Sequence, residues 1–335
     1  MALASVPGAS WAMLGGNSLT TGVAGYAKAG ATPATPDTLF ETASLYKPVL
    51  AVAIHDLARK RLIDLDEPIA RHVDFTNDRA TRLITPRHLL SHSSGLPNWR
   101  TEAGSELVSR FKPGSAFRYS GEGFVLLGRL AEAVTGHTAA ETVRSRVLIP
   151  ASMTRSTYGW LATDRPAVAW PHDAGGDVMT DKGPEAFRLV QQAGPSTSVE
   201  SWTQVDRTAT AKRQGRPALP VFMTPNMAAG LWTTAGDYAR FLQYAQRFPA
   251  MNTPTIGVEG RLKWGLGWGL EMPATGRFAW HWGANDGVAN LFVLDLDTGV
   301  ALVVLTNGSG GQRVYERAAR VHFRREFDAF TWLQP

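Results

Sequence analysis

Cysteine is absent from this chain of 335 residues, which excludes disulfides, thiolate nucleophiles, zinc–cysteine sites and iron–sulfur clusters together. Covalent chemistry is left to hydroxyls, carboxylates, lysines and histidines. No apolar run approaches the roughly 18–20 residues that cross a bilayer, so no membrane-spanning helix is expected. Charge of one sign is scarce too: 34 basic side chains against 29 acidic leave a net +5, too small an excess at this length to point to nucleic acid. The opening residues, MALASVPGASW, lack the basic cluster and apolar core of a whole secretory signal. Localisation stays open, periplasmic or secreted if a leader has been removed and otherwise cytoplasmic. What is present, 44% apolar and 19% charged residues, is the balance of a globular chain with one large domain or two ordinary ones.

Short apolar runs at Trp11–Leu14 and Val23–Tyr26 flank Gly15-Gly16-Asn17-Ser18 and read as a hairpin. Near the other end, Phe278–Trp282, Val288–Leu296 and Val300–Leu305 follow one another, the last two joined by the turn signal Asp297-Thr298-Gly299, as central antiparallel strands would be. Beyond Gly311 a helix is expected to about Phe327, with Arg313, Arg317, Arg320 and Arg324 on a solvated face. Between the ends, Leu45–Leu62 reads as a buried helix, Phe124–Val134 as a helix ended by Gly136, and Thr234 with Asp237 as a capping box opening a third. Residues 150–227, rich in Gly, Pro, Ser and Thr, read as long loops over a site. The expected architecture is α/β (α+β): an antiparallel sheet flanked by helices, built from residues 9–62 plus 255–330, with a mainly helical domain, 63–254, inserted into it.

Several motifs are missing: there is no G-x-S-x-G elbow, Walker A loop, H-E-x-x-H or strand-borne G-x-G-x-x-G. His88 and His92 have helical metal-pair spacing, but no third ligand lies near them in sequence, so both read as hydrogen-bonded structural residues and neither a metal nor a cofactor is expected. Ser-x-x-Lys occurs twice. At that spacing on a helix a hydroxyl and an amine share one face, and an amine whose pKa is lowered by burial can take the hydroxyl proton. In the copy Ser109–Lys112, Pro113-Gly114 breaks any helix. In the copy Ser44–Lys47, Pro48 is tolerable only within the first turn, which leaves the Ser44 N–H available to an oxyanion at a helix start.

FETASLYKP (Phe40–Pro48), LLSHSSGLP (Leu89–Pro97), FRYSGEGFVLLG (Phe117–Gly128), AAGLWTTAGDYARF (Ala228–Phe241) and HWG (His281–Gly283) occur in this order. Together they resemble the serine β-lactamase-related family, which includes class C β-lactamases, D-alanyl-D-alanine peptidases and family VIII-like carboxylesterases. The resemblance runs from about Ser10 to Phe327. It implies a mixed α/β domain plus a helical one, Ser44 as acylated nucleophile, Lys47 as its proton partner, and Tyr119 as a general base and acid kept partly deprotonated by lysine charge. It also implies that the N–H groups of Ser44 and Ala284 form the oxyanion hole, and that Gly121, His281, Trp282 and Gly283 contact substrate.

Three departures bear on substrate. Gly121 stands where the family's lactamases carry an asparagine, His281 replaces a lysine, and Ala284 replaces a hydroxyl residue. A neutral imidazole is a poorer carboxylate anchor than an ammonium, whereas acyl transfer from serine to water needs none of the three groups. A carboxylesterase acting on small esters is therefore the leading expectation, with tryptophans 99, 232, 264, 268 and 282 as an apolar lining. The alternatives are a class C-like β-lactamase or D-alanyl-D-alanine carboxypeptidase, and a non-catalytic ligand-binding or sensor domain. The partner expected is a small ester or amide; the oligomeric state is open.

Overall fold

Apolar strands at both chain ends meet in one sheet. The structure is a computed structural model and describes residues 4–16, 18–100, 105–158, 168–216, 219 and 224–334. The amino-terminal strands β1 (Gly8–Gly15), β2 (Ser18–Lys28) and β3 (Thr32–Pro33) join β7 (Ile256–Glu259), β8 (Leu262–Trp264), β9 (Gly269–Glu271), β10 (Phe278–Asn285), β11 (Val288–Asp295) and β12 (Ala301–Thr306). The order is β3-β2-β1-β12-β11-β10-β9-β8-β7, antiparallel throughout. The seam between the two ends is β1 against β12, with Ala9 opposite Thr306 and Leu14 opposite Ala301. A second sheet, three short strands, places β4 (Phe40–Glu41) and β5 (Thr157–Tyr158) on either side of β6 (Leu231–Thr233).

The helices are α1 (Tyr46–Arg59), α2 (Pro86–Leu90), α3 (Gly121–Thr135), α4 (Ala139–Val143), α5 (Pro184–Ala193), α6 (Gln204–Arg213), α7 (Ala235–Ala245), α8 (Gly311–Phe323) and α9 (Asp328–Trp332). Every residue of α1 from Tyr46 to Leu57 is buried, as its nearly uniform apolarity requires. One face of the large sheet (Ala12, Leu14, Phe292, Leu294, Val303, Leu305) packs with α1, α3 and α7 into the main core. The opposite face (Trp280, Leu291, Val293, Leu302, Val304) packs with Tyr315 and Ala319 of α8 and Phe330 of α9. Each such fully buried aliphatic contributes roughly 1.5–3 kcal/mol, so the sheet is fixed from both sides.

Three expectations need correction. Residues 150–227 are not loops throughout: α5 and α6 lie there, and Phe187, Val190, Val199 and Trp202 form a small core with Leu39 and Trp232. Residues 159–167, 217–218 and 220–223 of that stretch lie outside the described residues. The carboxy-terminal helix stops at Phe323, where Arg324 turns left-handed (φ 52°), and α9 follows separately. At α7 the capping box is half made: Thr234 accepts from the Asp237 N–H (3.1 Å), but the Asp237 carboxylate accepts from the Arg155 N–H, Ser156 and Arg240.

Candidate active site

Ser44 sits in a single 3-10 turn, Ala43–Leu45, that leads from β4 into α1. The turn is entered through Ala43, whose φ of 46° is a left-handed backbone that a residue with a Cβ adopts at a cost of roughly 1–2 kcal/mol. That cost is tolerated because Ala43 is fully buried and both neighbours are fixed: the Thr42 N–H and hydroxyl both donate to the Leu231 carbonyl (2.9 and 2.7 Å). Ser44 itself is half-buried, open to solvent on one side, and its N–H has no acceptor among the described residues.

Lys47 lies one turn further on, with no exposed surface. Its Nζ donates to Ser44 Oγ (2.8 Å) and to the Ala228 carbonyl (2.9 Å). Nζ also lies 4.9 Å from the centre of the Tyr119 ring and 5.8 Å from that of Phe124. No carboxylate pairs with it among the described residues, and burial alone brings its pKa down to about 7. A buried neutral amine against a serine hydroxyl can act as a base at ordinary pH.

Tyr119 precedes Ser120, the N-cap of α3, whose hydroxyl accepts from the Gly123 N–H. Its hydroxyl is enclosed and makes no well-formed hydrogen bond among the described residues. Burial pushes it well above the ordinary phenol range, and Ser44 draws it down only in part. Burial thus works against the phenolate that the resemblance implies, and of these two groups the one held near neutrality is Lys47.

The edge of β10 beside this cluster is free beyond Trp280, because β9 covers only Phe278–Trp280. The Leu296 N–H donates to the Arg277 carbonyl (2.8 Å), and hydrogen-bonded pairs alternate along an antiparallel ladder. The register of Phe278 opposite Asp295 and Ala284 opposite Ala289 therefore turns the N–H groups of Trp282 and Ala284 away from β11, toward that free edge. Gly283 allows this edge to press on the serine turn: a Cβ there would lie 2.1 Å from the Thr42 carbonyl oxygen and 3.2 Å from the Ser44 nitrogen. Gly283 is thus a spacer between two backbones, and Ala284, which is exposed, reaches the site through its main chain.

The other expected contacts fall differently. Gly121 opens α3 beneath Trp99; a Cβ would meet that indole at 2.7 Å and the Asn98 carbonyl at 3.0 Å. The indole thus fills the space that a longer side chain would need. His281 is fully buried beneath Tyr119 (ring centres 6.2 Å apart) instead of lining the site. Burial, with help from the Lys47 charge, lowers it to about 3, so it is a neutral imidazole. Its Nδ1 lies 2.6 Å from the Trp282 carbonyl, which only an Nδ1–H can satisfy, and Nε2 is left without a partner. Trp282 is half-buried and stands 4.8 Å from Tyr119 and 5.5 Å from Trp332 (ring centres). Of the five tryptophans expected to line the cleft, Trp232, Trp264 and Trp268 are core residues; Trp99 and Trp282 remain at the surface.

Two contributors were passed over by sequence reasoning. His92 accepts the Ser120 N–H on Nδ1 (3.1 Å), in keeping with its reading as a hydrogen-bonded structural residue, but its ring also lies tilted against Tyr119 (4.2 Å between ring centres). Its place in the LLSHSSGLP run was a signal that the metal-pair test ignored. Glu41, three residues before Ser44, is buried, and burial raises its carboxyl to about 7. Its Oε1 accepts from Asn285 Nδ2, next to Ala284. His88, by contrast, is structural, closing the capping box of α2 with Thr85. The second Ser-x-x-Lys is no pair: Ser109 Oγ donates to the Ser94 and Phe111 carbonyls in a loop.

An antiparallel sheet from both chain ends with a serine and a buried lysine at its edge is the architecture of penicillin-binding proteins. The octameric penicillin-binding protein homologue from Pyrococcus abyssi superimposes with a TM-score of 0.75 at 21% identity, covering 97% of this chain and 75% of that one. The esterase EstB of Burkholderia gladioli is 25% identical over 329 residues, covering 82% of this chain and 79% of the esterase. Penicillin-binding protein 4* of Bacillus subtilis is 24% identical over 323 residues, covering 88% of this chain and 67% of the relative. The Beta-lactamase family model matches residues 1–325, and the chain belongs to the beta-lactamase family. Its fold is that of the serine β-lactamase and transpeptidase hydrolases.

Proposed function

We propose that this chain is a carboxylesterase of small esters that works through an acyl-enzyme on Ser44. The observation that carries the reading is the contact of a fully buried, carboxylate-free Lys47 with Ser44 Oγ at 2.8 Å. Neutral Lys47 takes the Ser44 proton as Oγ attacks the ester carbon. The oxyanion that forms lies between the N–H groups of Ser44 and Ala284, where one donor is worth about 10²–10³ in rate. Tyr119 gives its proton to the leaving alkoxide and is reprotonated from Lys47, and the same groups in reverse activate the water that releases the acid.

Ester is favoured over β-lactam by what surrounds this core. His281 is neutral and buried, so the strand carries no cation for a carboxylate. Trp99 overlies Gly121, where an amide-binding side chain would stand. Trp282 and Trp332 offer an aromatic wall to an apolar acyl or alcohol group. A p-nitrophenyl acetate and butyrate series tests the reading: a burst equal to the enzyme concentration, an acyl adduct on Ser44 by intact mass, and loss of both in Ser44→Ala are expected. Turnover unchanged in Ser44→Ala would end it. The kinship with a penicillin-binding protein makes nitrocefin hydrolysis and a penicillin adduct on Ser44 the competing outcomes.

A further inference from the structure

We propose that Glu41 and Asn285 form a clamp that positions the oxyanion hole and couples its geometry to the charge on Glu41. The inference rests on the Ser44 acyl-enzyme reading. It starts from the distance in sequence between the two halves of the hole: Ser44 follows β4, whereas Ala284 stands on β10. No ladder joins these strands, since β4 pairs with β6 and β10 with β11 and β9. Their relative placement therefore depends on the packing of Gly283 against the serine turn and on side chains.

Those side chains are Glu41, Asn285 and Asn290. Asn285 Nδ2, one residue beyond the Ala284 N–H, donates to Glu41 Oε1. Asn290 Nδ2 donates to the Glu41 carbonyl oxygen (2.8 Å) while its Oδ1 accepts from the Thr306 N–H (2.9 Å), tying the same strand to β11 and β12. Gly283 packs against Thr42 and Ser44 between these two attachments. Glu41 thus holds the oxyanion strand by its side chain and the sheet by its main chain, three residues ahead of the nucleophile.

The charges facing Glu41 are Lys182, on the 3-10 turn Thr180–Lys182, and Asp286, in the β10–β11 turn; they also pair with each other (3.2 Å). A carboxylate accepts the Asn285 N–H more strongly than a carboxylic acid does. The ionised form therefore grips the strand and the protonated form loosens it.

The test compares wild type with Glu41→Gln, Glu41→Ala and Asn285→Ala, reading kcat and KM for p-nitrophenyl butyrate across pH together with affinity for a boronic acid that forms a tetrahedral adduct. All three variants should keep a Ser44 adduct by intact mass. Glu41→Ala and Asn285→Ala should lower kcat about ten- to a hundredfold, a fraction of the loss of a whole oxyanion donor, with little change in KM and boronate affinity falling in parallel. Glu41→Gln, a neutral acceptor like the protonated acid, should hold kcat between those of wild type and Glu41→Ala at every pH and lose one of the two ionisations of the wild-type profile, leaving that of Lys47. Variants that are acylated with wild-type kcat, boronate affinity and pH profile overturn the clamp while leaving the acyl-enzyme reading intact. A wild type that is never acylated overturns both. If Glu41→Ala does not fold, Glu41→Gln and Asn285→Ala decide the matter.

Discussion

Replacing Lys47 by methionine should make the protein more stable while removing its activity. The pKa of Lys47 falls from 10.5 to about 7 by burial, which at pH 7 corresponds to about 4 kcal/mol by which the buried amine weakens the fold relative to a freely titrating one. Methionine fills similar volume without that charge. It forgoes the bond to Ser44 Oγ, which water can replace because Ser44 is half-exposed, and leaves the buried Ala228 carbonyl unpaired at about 1–3 kcal/mol. The net expectation at pH 7 is a gain of roughly 1–3 kcal/mol in urea unfolding, with esterase turnover down by about 10²–10⁴. The sign with pH is also fixed. Between about pH 7 and 10 the unfolded chain holds a proton on Lys47 that the folded chain has released, so wild-type stability rises with pH and the advantage of the methionine variant shrinks and then reverses, the lost hydrogen bonding remaining. A variant less stable than wild type at pH 7, or an advantage that grows toward pH 10, would refute the reasoning.

Three further outcomes are expected. On the proposed mechanism, in which neutral Lys47 is the base, kcat/KM should rise at least tenfold per pH unit below about pH 7, more steeply where Glu41 also ionises, and then level off; a stopped-flow profile that is flat across this range contradicts the assignment. Tyr119→Phe should lower kcat by about 10²–10⁴ without lowering the melting temperature, since the lost hydroxyl makes no well-formed hydrogen bond among the described residues. Gly283→Ala should cost about 10² or more in turnover, because the new methyl collides with the Thr42 carbonyl. Gly15→Ala, where a Cβ meets nothing within 4 Å, serves as the neutral control in the same assay and melt.

What could be read from the residues was what is local or strongly patterned. The β11–β12 hairpin was legible because two apolar runs flank Asp297-Thr298-Gly299, and α1 because nearly every position in it is apolar. Ser44 and Lys47 were legible because one helical turn joins them. The helices α5 and α6 were hidden by the surrounding Gly, Pro, Ser and Thr, although the Thr203–Asp206 capping box at α6 was available. The break at Arg324 carries no glycine or proline to announce it. Glu41 with Asn285, and His92 with Tyr119, gain meaning only from partners brought together by the fold. The upward push on the Tyr119 hydroxyl likewise comes from its burial, which the residues around it in sequence do not reveal.

The joining of both chain ends in one sheet bears on when this protein acquires activity. Contacts this remote in sequence form late and slowly. A chain emerging from the ribosome would display Ser44 and Lys47 long before β10 to β12 exist to supply the Ala284 N–H and wall off solvent. On the proposed esterase reading, hydrolysis would appear only after the last hairpin has been made and has closed against β1, so that the serine would stay silent during synthesis and ester turnover would report completed folding.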